Sequence, residues 1–148
     1  MQLSVRGYKS NTLSLKEMRF AIRWFANLLL PKKVLEDIEI NISLKNMKDT
    51  GYVDFLTDEP GLKIFELGLN RQNDKETQLI TIAHEMVHIK HYALKEMRYT
   101  NNNDIVWRKR IASAKTLREE PWEAEAYEQE QELYTKYLKF KQKERLTF

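Results

Sequence analysis

The residues best equipped for chemistry occupy five consecutive positions, His84-Glu85-Met86-Val87-His88. Residues four apart are neighbours on a helix, so His84 and His88 can converge on one ion from a rigid support. Glu85 points about 100° around the helix axis from His84, badly placed to ligate that ion but able to reach a water on its open side. Zn²⁺ lowers the pKa of such a water to about 7, and a carboxylate can then take its proton. The HExxH spacing therefore predicts metal-assisted hydrolysis, with Glu85 as the general base that later returns the proton to a leaving nitrogen. The pattern is short, and a surface helix with two incidental histidines also matches it.

A tetrahedral catalytic site needs a third protein ligand and one open position. The chain has no cysteine, so His, Asp or Glu must supply that ligand. His91 completes the set of three histidines, but it lies about 10.5 Å along the helix axis from His84, too far for one ion to meet both. No glycine interrupts HEMVHIKHY to break the helix there, so His91 is expected beside the ligands without touching the ion, or on the surface. The stretch EPWEAEAY offers Glu123, Glu125 and Tyr127 on the first turns of a later helix. Glu123 adjoins an inward-facing Trp122, whereas Glu125 is expected to project toward solvent with Glu128 and Glu132. Acids at a helix N-terminus are also favoured by its dipole alone. That explanation accounts for Glu125 better than for Glu123.

The elements that must position these residues follow from periodicity. Ser14 and Glu17 form a capping-box pair, and Leu15, Met18, Ile22, Phe25 and Leu29 recur at helical spacing, so a first helix is predicted over 15–30, ended by Pro31. Ile38, Ile40, Ile42 and Leu44 alternate with polar residues as in a half-buried strand. The KDTG and DEPG turns bound two more strands, 51–57 and 62–69. A second helix is predicted over 73–97, started by Asn73 with Glu76 as capping partner, and it carries all three histidines. After the TNNND loop, 104–116 reads as a short hairpin. Pro121 suits the first position of a last helix running to about 141, with Trp122, Ala126, Leu133 and Tyr137 inward. The order of elements predicts one α+β domain over 1–148.

Composition narrows the class. Hydrophobic residues at 42% and charged residues at 32% describe a globular chain, which excludes disordered and fibrous classes. The first twenty residues lack a signal-peptide core, and the longest apolar run, 26–31, is too short to span a bilayer. A cytoplasmic protein without membrane contact is expected. The net charge is only +3. Residues 95–118 are nonetheless rich in Lys and Arg, with Trp107 beside Arg108, Lys109 and Arg110. Such a stretch can bind nucleic acid weakly by charge and stacking, although most are solvated surface.

HEMVH, followed some tens of residues later by a Glu-x-Glu-Ala helix, resembles the gluzincin branch of zincin metallopeptidases. It is similar above all to the small forms: minigluzincins, IrrE/ImmA-type regulatory peptidases and zincin-like proteins of phages. The resemblance implies Glu123 as third ligand beside His84 and His88, one Zn²⁺ per chain, and a protein or peptide substrate. It also implies a zincin-like fold: N-terminal helix, small three-stranded sheet, HExxH helix, glutamate-bearing C-terminal helix. The edge strand that pairs with substrate would be the third, at Lys63, Ile64, Phe65 and Glu66. Many relatives place Asp or Asn four residues after the ligand glutamate; this chain has Tyr127, a candidate oxyanion donor or packing residue. SprT-like nucleic-acid-associated proteases share HExxH, but commonly use a third histidine downstream, and none follows His91. A non-catalytic module whose zinc only stabilises the fold is the remaining alternative.

Overall fold

Ser14 starts the first long helix as expected: its hydroxyl accepts the Glu17 N–H at 3.1 Å. In this computed structural model, which describes residues 1–7 and 13–148, α1 spans Leu15–Leu29 and buries Met18, Ala21, Ile22 and Phe25. The other half of the capping box does not form. Glu17 turns its carboxylate into the core, where Lys75, Lys141 and the Tyr137 hydroxyl meet it. A four-residue turn of helix, α2 (Lys32–Leu35), leads from α1 into the sheet.

The main sheet has four strands, one more than expected, in the order β1-β2-β4-β3. The added strand is β1 (Gln2–Arg6), which pairs in parallel with β2 (Ile38–Lys45). Only Leu3 and Val5 of β1 turn toward the core, so its own pattern is faint. The helical crossover through α1 is what places it beside β2.

β4 (Leu62–Asn70) corrects an expectation about the site. Lys63, Ile64, Phe65 and Glu66 do not form an edge; β4 is interior, parallel to β2 and antiparallel to β3 (Gly51–Glu59). Phe65, Leu67 and Leu69 are fully buried, whereas β3 carries Asp54, Thr57, Asp58 and Glu59 and is largely half-buried or exposed. The more apolar arm of the hairpin takes the covered middle, and the more polar arm takes the edge. A register shift between Phe55 and Thr57 interrupts that edge, as bulges commonly do.

α3 (Lys75–Ala93) packs on α1, on the sheet and on α5. Its cap is Asp74, one residue later than expected, whose carboxylate accepts the Thr77 N–H at 2.7 Å. The helix stops at Ala93 and not near 97, because Lys95 adopts a left-handed conformation and the Glu96 N–H returns to the His91 carbonyl at 2.8 Å. The released chain forms a second, three-stranded sheet from β5 (Met97–Tyr99), β6 (Ile105–Trp107) and β7 (Arg110–Ile111). The expected hairpin is thus present, joined by β5. A short α4 (Ala114–Glu119) precedes α5 (Pro121–Lys143), which buries Trp122, Ala126, Leu133 and Tyr137. Among the described residues no helix is long and apolar enough to cross a membrane.

Candidate metal centre

α3 is enclosed on almost every side, so the histidine motif lies inside the molecule and not at the rim of an amphipathic helix. His84 and Glu85 are buried. The Nε2 atoms of His84 and His88 approach to 3.2 Å. α5 crosses α3 and brings Glu123, whose Oε1 lies 3.4 Å from His84 Nε2 and closer still to His88 Nε2. Two imidazole nitrogens and a carboxylate oxygen thus share one point, and the three residues could hold a metal ion.

The donor chemistry fits a cation. Glu130, two turns after Glu123 on α5, accepts from His84 Nδ1 at 2.7 Å. With the proton fixed on Nδ1, the Nε2 lone pair faces Glu123 and His88. Electron-rich atoms crowded so closely repel unless a positive charge lies between them. Two nitrogens with one oxygen suit zinc and its first-row neighbours better than calcium or magnesium.

Protonation equilibria carry the same tension. Burial alone would lower the pKa of His84, but Glu123, Glu85 and Glu130 outweigh it and raise it. Hydrogen bonding to His84 and His88 holds the Glu123 carboxyl far below the usual range, against its burial. For Glu85, burial dominates and pushes the pKa up, while His88 and His84 pull it down.

Two clefts meet at this point. One, of about 590 Å³, is lined by Gly51, Thr81, Glu85, Glu123, Tyr127 and Glu130. The other, of about 370 Å³, adds Tyr52, Val53 and Tyr92 around Glu85 and His88. Glu85 borders both. Gly51 begins the edge strand and lies tight on α3: a Cβ there would sit 2.6 Å from the Thr81 methyl and 2.7 Å from the Gly68 carbonyl oxygen. Glycine is what lets the open edge run so near the motif. A larger cleft, about 740 Å³, lies between the end of α1 and α5, bordered by Arg108 and Glu125 and away from His84, His88 and Glu123.

The other sequence-chosen residues fall in different places. Tyr127 is 61% exposed and stands edge-on to His84, ring centres 4.7 Å apart, in the first cleft. His91 is fully buried, edge-on to Trp107 at 4.9 Å and 5.5 Å from the His88 ring, and so is not a surface residue. Burial holds its pKa down, to about 4, against the pull of Glu125. Glu125 is not solvated either: Arg108 grips one of its oxygens, and the other lies 3.5 Å from His91 Nε2. Arg108 also lies over the Trp107 ring at 4.5 Å, and Trp122 packs beside that ring. Trp107 is thus half-buried among His91, Arg108 and Trp122.

Glu130 was missed by sequence reasoning, although its spacing of seven from Glu123 placed it on the same helical face. No protein-family model, curated protein or solved structure matches the chain.

Proposed function

We propose that this chain is a zinc-dependent peptidase of zincin-like architecture, with His84, His88 and Glu123 as ligands and Glu85 as general base. The observation that carries this reading is the convergence of three lone-pair donors beside a buried carboxylate that borders two open clefts. Zn²⁺ bound there would supply the Lewis acidity that activates water and polarises a carbonyl. The chain supplies the rest. Glu130 fixes the tautomer and orientation of His84. Glu85, raised by burial, takes the water's proton and returns it to the departing amine. Tyr127, exposed in the cleft beside His84, is the candidate donor to an oxyanion. β3 replaces β4 as the substrate-pairing strand, because its outer edge is open and its first residues border the site. An extended peptide can add there through main-chain hydrogen bonds.

The deciding experiment is turnover of an unstructured protein or peptide library by zinc-loaded wild type and Glu85→Gln. Glutamine keeps the size of the side chain but cannot accept a proton, so cleavage should fall roughly 10²–10⁴-fold with metal content unchanged. Wild-type activity in Glu85→Gln would remove the general-base role. Metal binding with no cleavage by wild type would make the chain the non-catalytic zinc module instead.

A further inference from the structure

Acids that are buried or half-buried in this molecule mostly bring their own cations. Glu17 has Lys75 and Lys141, and Glu130 has His84. Glu96 is different. The left-handed turn at Lys95 folds it back over the last turn of α3, its N–H on the His91 carbonyl, and its Oε2 is buried without a hydrogen-bond partner. Facing it is His91, 0% exposed, neither of whose ring nitrogens makes a hydrogen bond. Glu125 closes the group from α5. Its Oε1 lies 3.5 Å from His91 Nε2 and accepts a weak bond from Gln129 at 3.2 Å, while its Oε2 is held by Arg108.

We propose that His91, Glu96 and Glu125 form a second metal site, for a divalent first-row ion such as Zn²⁺, distinct from the His84–His88–Glu123 centre. One donor atom from each lies within 4.8 Å of the others. Two carboxylates against one guanidinium leave a net negative charge that a divalent ion neutralises. It would also satisfy the orphaned Nε2 and Oε2 atoms, whose isolation is otherwise costly. The imidazole favours zinc, copper, iron or nickel over the hard ions calcium and magnesium. Arg108 is compatible with this arrangement, since it occupies only the far oxygen of Glu125 and orients the near one.

The ion acts as a staple. It ties the end of α3 to the start of α5, and reaches the second sheet through Arg108, whose N–H donates to the Glu96 carbonyl at 2.6 Å. His91 itself is fully buried, while Glu125 and Arg108 border the cleft between α1 and α5. The staple makes the second ion structural, and its loss should appear in stability before it appears in turnover.

The test is metal content of the full chain after loading with Zn²⁺ and desalting, beside thermal melts with and without Zn²⁺. Wild type should retain two ions per chain, and the double variant His84→Ala/His88→Ala should retain one. Adding either His91→Ala or Glu96→Gln to that double variant should remove the remaining ion and its zinc-dependent rise in Tm. Glu96→Gln keeps the shape of the site, so it reads the proposal even if His91→Ala fails to fold. A double variant that binds no zinc overturns the second site and leaves the first standing. One that keeps its ion despite Glu96→Gln and His91→Ala overturns it as well. If wild type loses its only ion on Glu96→Gln, the second site stands and the first falls.

Discussion

Two groups of metal-ligating side chains bridge the same two helices, about one turn apart, and differ in what surrounds them. His84, His88 and Glu123 sit where β3 begins, with a buried free carboxylate at Glu85 and open space on two sides. His91, Glu96 and Glu125 sit where α3 ends, with Trp107 against His91 and Arg108 on Glu125, beside the cleft between α1 and α5. The donor types are nearly the same. What separates the proposed catalytic site from the proposed structural one is Glu85, a buried carboxylate that borders two clefts and is not itself a ligand.

The sharpest way to break this comparison is to remove one α5 acid at a time. Glu123→Ala should lower zinc affinity at the first centre by more than the ~10–100-fold that loss of an outer partner costs, and abolish cleavage. Glu125→Gln should leave cleavage near wild type while lowering Tm. Titration of each variant against a competing chelator reads both effects, and equal losses in the two would collapse the distinction. Glu130→Gln comes next. It still accepts a bond from His84 Nδ1 but loses the charge that strengthens it, so affinity at the first centre should fall by up to ~10–100-fold. An unchanged affinity would mean that Glu130 does not orient His84.

A smaller effect comes from Glu17, the buried acid that needs no ion. Burial raises its pKa, but Lys141 and Lys75 outweigh burial and hold the carboxyl below its usual value. A depressed folded-state pKa stabilises above the unfolded value, near pH 4.3, and that contribution is lost as pH falls through the folded value. Glu17→Gln should therefore cost about 1–3 kcal/mol near neutrality. The gap from wild type should close below about pH 4 in melts run across that range. A pH-independent gap would assign the loss to packing. Smallest is Arg108→Gln. The Arg108 side chain is half exposed, so breaking its pair with Glu125 should cost only ~0–1 kcal/mol. The cost should grow when chelator strips the second ion, because Glu125 then loses both of its cations.

The first centre was largely legible in sequence because its two histidines are coupled by helix geometry alone. The second was not. His91 looked peripheral because helix period says which residues share a face, and says nothing of how many faces are covered. α3 is surrounded by α1, the sheet and α5, so polar residues on several sides of it are buried. Glu125 was assigned to solvent by the same reasoning, and β6 with Arg108 covers it instead. Glu96 carried no local signal at all, since its position depends on a left-handed residue ending the helix early.

By itself the sequence determined the α+β order of elements, the start of α1 and the pairing of His84 with His88, because these rest on contacts three or four residues apart. Only the tertiary structure decided which hairpin arm became the sheet edge, which carboxylate braced His84 and which acids were buried. Each of those outcomes depends on a neighbour distant in the chain. β4 is interior because β2 pairs with it, and Glu130 reaches His84 because α5 crosses α3 at Glu123. Local spacing specifies a face, and packing specifies what that face meets.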